Sequence, residues 1–77
     1  MLKMYMLSWF SDRKEIEDGI YGAYSSLDRA EKAMHKYADM FHETILDTAY
    51  DTDEWLFITN KGTYKIEAMF LDDNAGV

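Results

Sequence analysis

The sequence predicts an α+β fold, a two-layer ββαββ arrangement with one helix packed on an antiparallel sheet of about four strands. Residues 2–10 alternate between two apolar faces, and residues 27–45 repeat apolar side chains at helical spacing. Residues 64–71 alternate again, directly after a turn signal at residues 60–62. A chain of 77 residues has room for one hydrophobic core, so we expect a single domain that ends in a polar tail at 72–77.

The first strand is expected at residues 2–10, in the centre of the sheet, because both of its faces are apolar. Its two faces carry Tyr5, Leu7 and Trp9 on one side and Leu2, Met4, Met6 and Phe10 on the other. The charged segment 11–18 follows as a connection. Gly19 then allows a turn into a short strand at about 20–24, which returns antiparallel to the first.

The helix should begin at Leu27. Ser25 or Ser26 is placed to cap it, because a serine oxygen accepts hydrogen bonds from the free N–H groups of the first turn. Asp28 adds a negative charge near the positive end of the helix dipole. The apolar stripe comprises Leu27, Ala30, Met34, Tyr37, Ala38, Phe41 and Ile45. This spacing predicts a helix that fades between Glu43 and Tyr50.

The last two strands form a hairpin in this interpretation. Trp55–Thr59 alternates as a strand, and the Asn-Lys-Gly turn at 60–62 places Gly62 in the left-handed conformation. Residues 64–71 are the clearest strand of the chain. Because a single helix covers one face of the sheet, the other face is left rich in apolar side chains. A patch of this kind usually marks an interaction surface, which predicts either a homodimer or a foreign partner.

Negative charge is concentrated between Asp47 and Glu54, a stretch without a basic residue that holds four of the seven excess negative charges. A second acidic cluster, diluted by two bases, comprises Asp12, Glu15, Glu17 and Asp18. The net charge of −7 argues against non-specific binding to nucleic acid or to anionic membranes. The concentrated charge instead predicts a basic protein partner. The alternative is a solvated loop that keeps a small protein soluble.

Catalytic and metal-binding signatures are missing from the sequence. Cysteine is absent, which excludes disulfides and thiolate metal sites, and no serine lies in a nucleophile motif. A polar stripe along the helix comprises Glu31, His35, Asp39 and His42, which are ligand types for a divalent metal. Its two histidines are seven residues apart and lack the i, i+4 spacing of zinc-binding helices, so we interpret it as an ordinary helix flank. We expect no enzyme, no cofactor and no metal.

The compartment is expected to be the cytoplasm. No apolar run approaches the length of about 20 residues that a membrane helix needs. The apolar N-terminus carries Lys3 but lacks a small-residue cleavage site, which favours a strand of the mature protein over a signal peptide.

Three segments carry a resemblance: GAYSS at 22–26, AEKA at 30–33 and YKIEAMFLD at 64–72. Together they resemble short uncharacterised proteins of bacteriophages and mobile elements. In that group an aromatic strand leads through Gly-x-aromatic-Ser-Ser into an Ala/Glu-rich helix and a closing Tyr-x-Ile-x-x-Phe-x-Leu-Asp strand. Residues 47–62 depart from the pattern. The resemblance implies no active site. A protein of this kind is similar to the small anti-defence inhibitors of phages, including anti-CRISPR proteins.

Our leading hypothesis is inhibition of a host nucleic-acid-handling protein, a context that the resemblance implies. The acidic stretch itself suggests the means, since its carboxylates can imitate DNA phosphates. The residues expected to contact the partner are Asp47, Tyr50, Asp51, Asp53, Glu54 and Trp55. Tyr50 and Trp55 would anchor the interface. The alternative role of both is packing between helix and hairpin, which we favour for Trp55. One alternative is a homodimeric regulatory module that uses the open sheet face. The other is a nucleotide-binding or metabolite-binding protein, whose basic pocket would require Arg29, Lys32 and Lys36 to face a neighbour.

Overall fold

The computed structural model describes residues 2–11 and 19–71, which form one helix on one face of a five-stranded antiparallel sheet. The elements are β1 (Leu2–Ser11), β2 (Gly19–Tyr24), α1 (Leu27–Met40), β3 (Ile45–Asp51), β4 (Glu54–Thr59) and β5 (Gly62–Leu71). The α+β class and the single helix on an antiparallel sheet are confirmed. The sheet has five strands instead of about four, and the order is ββαβββ instead of ββαββ.

The sheet order is β2-β1-β5-β4-β3. β1 therefore lies between β2 and β5, antiparallel to both, as its two apolar faces predict. The second strand is confirmed at Gly19–Tyr24. The polar tail at 72–77 and the second acidic cluster at 12–18 lie outside the described residues.

Helix α1 begins where the serine cap predicts and ends earlier than its apolar stripe predicts. The Ser26 hydroxyl accepts a hydrogen bond from the Arg29 N–H at 3.2 Å. The helix ends at Met40, where the Glu43 N–H donates to the Ala38 carbonyl at 2.8 Å and His42 adopts a positive φ of 55°. Glycine usually occupies this left-handed position, so a histidine there hides the helix end in the sequence. The prediction that the helix continues past residue 43 is wrong.

The hydrophobic core lies between α1 and one face of the sheet, where the helix packs mainly against β1, β2 and β5. Its buried members are Leu7, Trp9, Ala30, Met34, Ala38, Phe57, Tyr64 and Ile66. Alanines at two helix positions bring the helix close to the sheet, and Met34 fills the space between them. Within the described residues, no helix has the length and apolar character to cross a membrane.

The turn between β4 and β5 is held by Thr59, which is 3% exposed. Its hydroxyl donates to the Gly62 carbonyl and accepts from the Gly62 N–H, both at 3.0 Å. The predicted left-handed conformation of Gly62 is wrong, since this residue is the first of β5 and pairs with Ser11. Glycine is required here by space, because a Cβ would lie 2.3 Å from the carbonyl oxygen of Phe10.

Candidate functional site

The acidic stretch forms a hairpin of two strands, β3 and β4, joined by a turn at Thr52 and Asp53. All six predicted contact residues lie in this hairpin: Asp47, Tyr50 and Asp51 in β3, Asp53 in the turn, and Glu54 and Trp55 in β4. The interpretation of the stretch as a loop is therefore wrong. β3 lies at one end of the sheet, and apart from Ile45 all of its residues are exposed.

The hairpin separates the predicted contact residues onto two faces of the sheet. Tyr50 pairs with Trp55, and the next pair, Asp51 with Glu54, points to the opposite face. Trp55 also pairs with the buried Ile66, so the aromatic pair shares the face that carries the helix. Asp51 and Glu54 consequently lie on the open face. The sequence places the acids and the aromatic anchors together, whereas the structure joins them only at the edge formed by β3.

Three carboxylates form a row across the open face. Asp51 pairs with Glu54, and Glu54 pairs with Glu67 of β5. The Ala68 N–H donates to the Asp53 carbonyl at 2.8 Å, and this bond makes Glu54 and Glu67 a non-hydrogen-bonded pair. Side chains of such pairs lie closest together, about 4.5 Å apart at Cα. The ammonium of Lys65 is 3.9 Å from the Glu67 carboxylate, and the row is otherwise negative.

The remaining two acids of the hairpin have different settings. Asp47 is exposed on the open face, where it pairs with Ile58. Asp53 lies in the turn with a positive φ of 59°, and its carbonyl is held by β5. Asp51 supports the same turn, because its carboxylate accepts the Thr52 N–H at 2.8 Å. The turn therefore presents its acids from a fixed backbone.

An aromatic cluster lies on the helix side of the same strands. The Tyr50 and Trp55 ring centroids are 5.2 Å apart, and those of Trp55 and Tyr5 are 5.9 Å apart. Tyr5 pairs with Ala68 of β5 on the same face. Tyr50 is 68% exposed, whereas Trp55 is half-buried against the core. Tyr50 is therefore available as an anchor, and Trp55 supports it from below.

The open face also carries an apolar groove of about 280 Å³. It is lined by Met6, Ser8, Phe10, Gly19, Ile20, Lys65 and Glu67. The Lys65 ammonium lies over the Phe10 ring, 5.1 Å from its centroid. Arg29, Lys32 and Lys36 do not line this groove, and the Lys32 ammonium pairs with Asp28 of its own helix at 3.1 Å.

The polar stripe of the helix forms no cluster around a cation. Among the residues the structure describes, no group of three or more histidine or acidic side chains is placed to hold a metal ion. His42 has a structural setting instead, since its backbone ends the helix.

A group of polar atoms is buried beneath the end of the helix. Among the residues that the structure describes, the Tyr64 hydroxyl, the Trp9 indole N–H and one Glu43 carboxylate oxygen find no hydrogen-bond partner. Burial raises the pKa of Tyr64, and the nearby Glu43 carboxylate raises it further. Burial and Glu43 also raise the pKa of Tyr21. Trp9 and Tyr64 are members of the buried core, and Tyr21 packs against it.

Two residues of the surface are missed by the sequence analysis. Glu67 completes the carboxylate row, but counting outward from the predicted turn at 60–62 pairs it with Trp55, whereas the observed pairing with Glu54 corresponds to a turn of only Asn60 and Lys61. Tyr5 supports the aromatic cluster, and only the sheet order brings it near Trp55. Asp47 and Tyr50 are found from charge and residue type alone.

Comparisons with family models, with curated proteins and with solved structures found no match for this chain. The function is therefore argued from the geometry of the hairpin and of the open face.

Proposed function

We propose that this chain is a non-enzymatic, phage-type binding protein that inhibits a host protein which handles nucleic acid, in the host cytoplasm. The single observation that best supports this function is the carboxylate row of Asp51, Glu54 and Glu67. It presents three negative charges on neighbouring strands of a rigid sheet. Exposed Tyr50 at the same edge supplies the flat contact area of an interface anchor.

The carboxylate row is unfavourable for the free protein. Like charges directly opposite each other on neighbouring strands destabilise a sheet, by up to about 1 kcal/mol for each pair. A partner that brings lysine or arginine side chains to the row would remove this repulsion. Binding of a basic surface would therefore stabilise the hairpin.

Inhibition would follow from competition with nucleic acid. Proteins that bind DNA or RNA hold the phosphates with lysine and arginine, and the affinity falls steeply as salt increases. Carboxylates spaced about 5 Å apart on adjacent strands can occupy the same side chains. The mechanism requires no catalytic group, and the strength of inhibition should depend on salt in the same way.

The experiment compares two variants of similar net charge. The neutral hairpin variant carries Asp47→Asn, Asp51→Asn, Asp53→Asn and Glu54→Gln. The neutral helix variant, the control, carries Asp28→Asn, Glu31→Gln and Asp39→Asn on α1. Each protein is used to capture partners from a bacterial lysate, and every captured partner is then tested for competition with DNA or RNA.

The parent and the neutral helix variant should retain a nucleic-acid-binding protein that the neutral hairpin variant loses. Truncation by Tyr50→Ala should weaken the complex by about 1–2 kcal/mol. The melting temperature of the neutral hairpin variant should be equal to or above that of the parent, because exposed charges contribute little to folding. A partner that binds the neutral hairpin variant as tightly as the parent would refute the proposal.

A second candidate function, a homodimeric interaction module, is favoured by the open face. Ile20 is 70% exposed there, Phe10 38% and Ile58 37%. Exposed apolar groups around a groove are typical of association surfaces. Sedimentation should then give about twice the monomer mass of 9.1 kDa, and Ile20→Lys should restore the monomer. A monomer at every concentration would exclude this candidate.

A further inference from the structure

In the described part of the chain, the outer edge of β3 is an unpaired strand edge, because β3 is the last strand of the sheet. Helix α1 packs over β1, β2 and β5, toward the edge of the sheet opposite to β3. No other strand in residues 2–11 and 19–71 pairs with this edge. An exposed edge of this kind is a template on which another chain can add a strand.

The direction of the backbone groups on this edge follows from the register. The bond from the Ala68 N–H to the Asp53 carbonyl shows which residues of β4 direct their backbone N–H and C=O groups toward β5. The residues between them direct these groups toward β3. In β3, the N–H and C=O groups of Thr48 and Tyr50 consequently point away from β4. We call these four groups the outer edge.

One group of the outer edge is already occupied by the protein itself. The Asp47 carboxylate accepts the Thr48 N–H at 2.9 Å. A charged side chain on an edge strand is a common protection against unwanted strand pairing. The protection is conditional, however, because a lysine or arginine that pairs with Asp47 would draw its carboxylate away and release the Thr48 N–H.

An added strand would explain why the predicted contact residues lie on two faces. Asp47, Ala49 and Asp51 alternate on the open face, whereas Thr48 and Tyr50 alternate on the helix side. The two carboxylates are about 13 Å apart along the strand. A strand laid against β3 contacts both faces at once, with basic side chains beside the acids and apolar side chains beside Tyr50.

A second copy of this chain is a poor occupant of the edge. Antiparallel pairing of two β3 strands about Ala49 would set Asp47 of each copy opposite Asp51 of the other. Like charges in directly opposite positions destabilise such a pair. The other edge strand, β2, contains no acidic residue, so charge complementarity favours a basic occupant only at β3.

We propose that the outer edge of β3 binds an extended segment of the partner protein as a sixth strand, with lysine or arginine at alternating positions. The inference rests on the proposed function and names the chemistry of the partner segment. The basic side chains displace the Asp47 carboxylate from the Thr48 N–H, and the backbone of the segment takes its place. Charge selects the segment, and backbone hydrogen bonds hold it.

The test uses the full chain and two synthetic peptides of equal charge. The first is a capped peptide, Lys-Val-Lys-Thr-Lys-Val-Lys, and the second is the same peptide N-methylated at its three central residues. N-methylation leaves the lysines in place and removes the donors of both strand edges. Each peptide is titrated into isotope-labelled protein at low salt, and amide hydrogen exchange is measured residue by residue.

The unmethylated peptide should slow exchange at the Thr48 and Tyr50 amides, and the methylated peptide should bind at least tenfold more weakly. On the protein side, Thr48→Pro removes an outward N–H without removing a bond to β4, and Thr48→Val is its control. Thr48→Pro should weaken binding at least tenfold, and Thr48→Val should leave it unchanged. The peptide comparison uses the unaltered chain and does not depend on the folding of either variant.

Equal binding of the two peptides would overturn the strand addition. If that equal binding is also lost in the neutral hairpin variant, the acidic surface still binds basic partners and the proposed function stands. Failure of both peptides to bind, or exchange protection outside β3, would likewise overturn the strand addition, and the lysate experiment then decides the proposed function independently.

Discussion

Raising the pH above 10 should destabilise this protein through Tyr64. Burial, followed by the nearby Glu43 carboxylate, raises the pKa of Tyr64 above its ordinary value of 10.0. The unfolded chain releases this proton first, so the stability is complete below pH 10 and falls as the pH rises further. A tyrosine that stays protonated in the fold while it ionises in the unfolded chain costs about 1.4 kcal/mol between pH 9 and 11.

Urea unfolding at pH 7, 9, 10 and 11, followed by tryptophan fluorescence, measures this loss. Tyr64→Phe should change the free energy of unfolding at pH 7 by less than about 1 kcal/mol, because the hydroxyl finds no hydrogen-bond partner within residues 2–11 and 19–71. The variant should lose about 1.4 kcal/mol less than the parent between pH 9 and 11. Tyr21, whose pKa is also raised, should account for part of the remaining loss.

Tyr50→Phe is the matched control, since it removes a hydroxyl from a side chain that is 68% exposed. Its pH dependence should follow that of the parent. If Tyr64→Phe shows the same alkaline loss as the parent, the reasoning about the buried hydroxyl is refuted.

Two further predictions concern backbone positions. Gly62→Ala should destabilise by about 2–3 kcal/mol in urea unfolding, because its Cβ would collide with the backbone of Phe10; Gly19→Ala, whose Cβ meets one ring atom at 3.7 Å, should be nearly neutral. His42→Gly should raise the free energy of unfolding by about 0.5–1 kcal/mol, because it relieves a left-handed φ. The opposite sign is expected for His35→Gly inside the helix, and a destabilised His42→Gly would contradict the assignment of that helix end.

Much of the fold follows from local patterns. The serine cap, the helix start and the alternation of residues 64–71 are each decided by neighbouring residues, and all three are found in the structure. The end of the helix is not visible in the local sequence, because Ile45 continues the apolar stripe and a histidine replaces the usual glycine. β3 is missed for a different reason: an exposed edge strand has no buried face to impose alternation on its sequence.

The acidic surface is partly visible in the sequence. The density of charge between Asp47 and Glu54 identifies the segment, because charge depends on composition alone. The row with Glu67, however, requires the pairing of β4 with β5, and the placement of Tyr50 on the opposite face requires the register of the hairpin.

Local sequence patterns are enough to predict the class of the fold, the central position of β1 and the segment that carries the charge. The three-dimensional fold is needed to show that this segment is an edge strand, that its acids and aromatic side chains face opposite sides, and that Asp47 occupies one outward N–H of the edge. The physical reason is the range of the interactions. Caps, periodicity and charge are properties of residues a few positions apart, whereas strand order and register arise from burial of side chains that are distant in the chain.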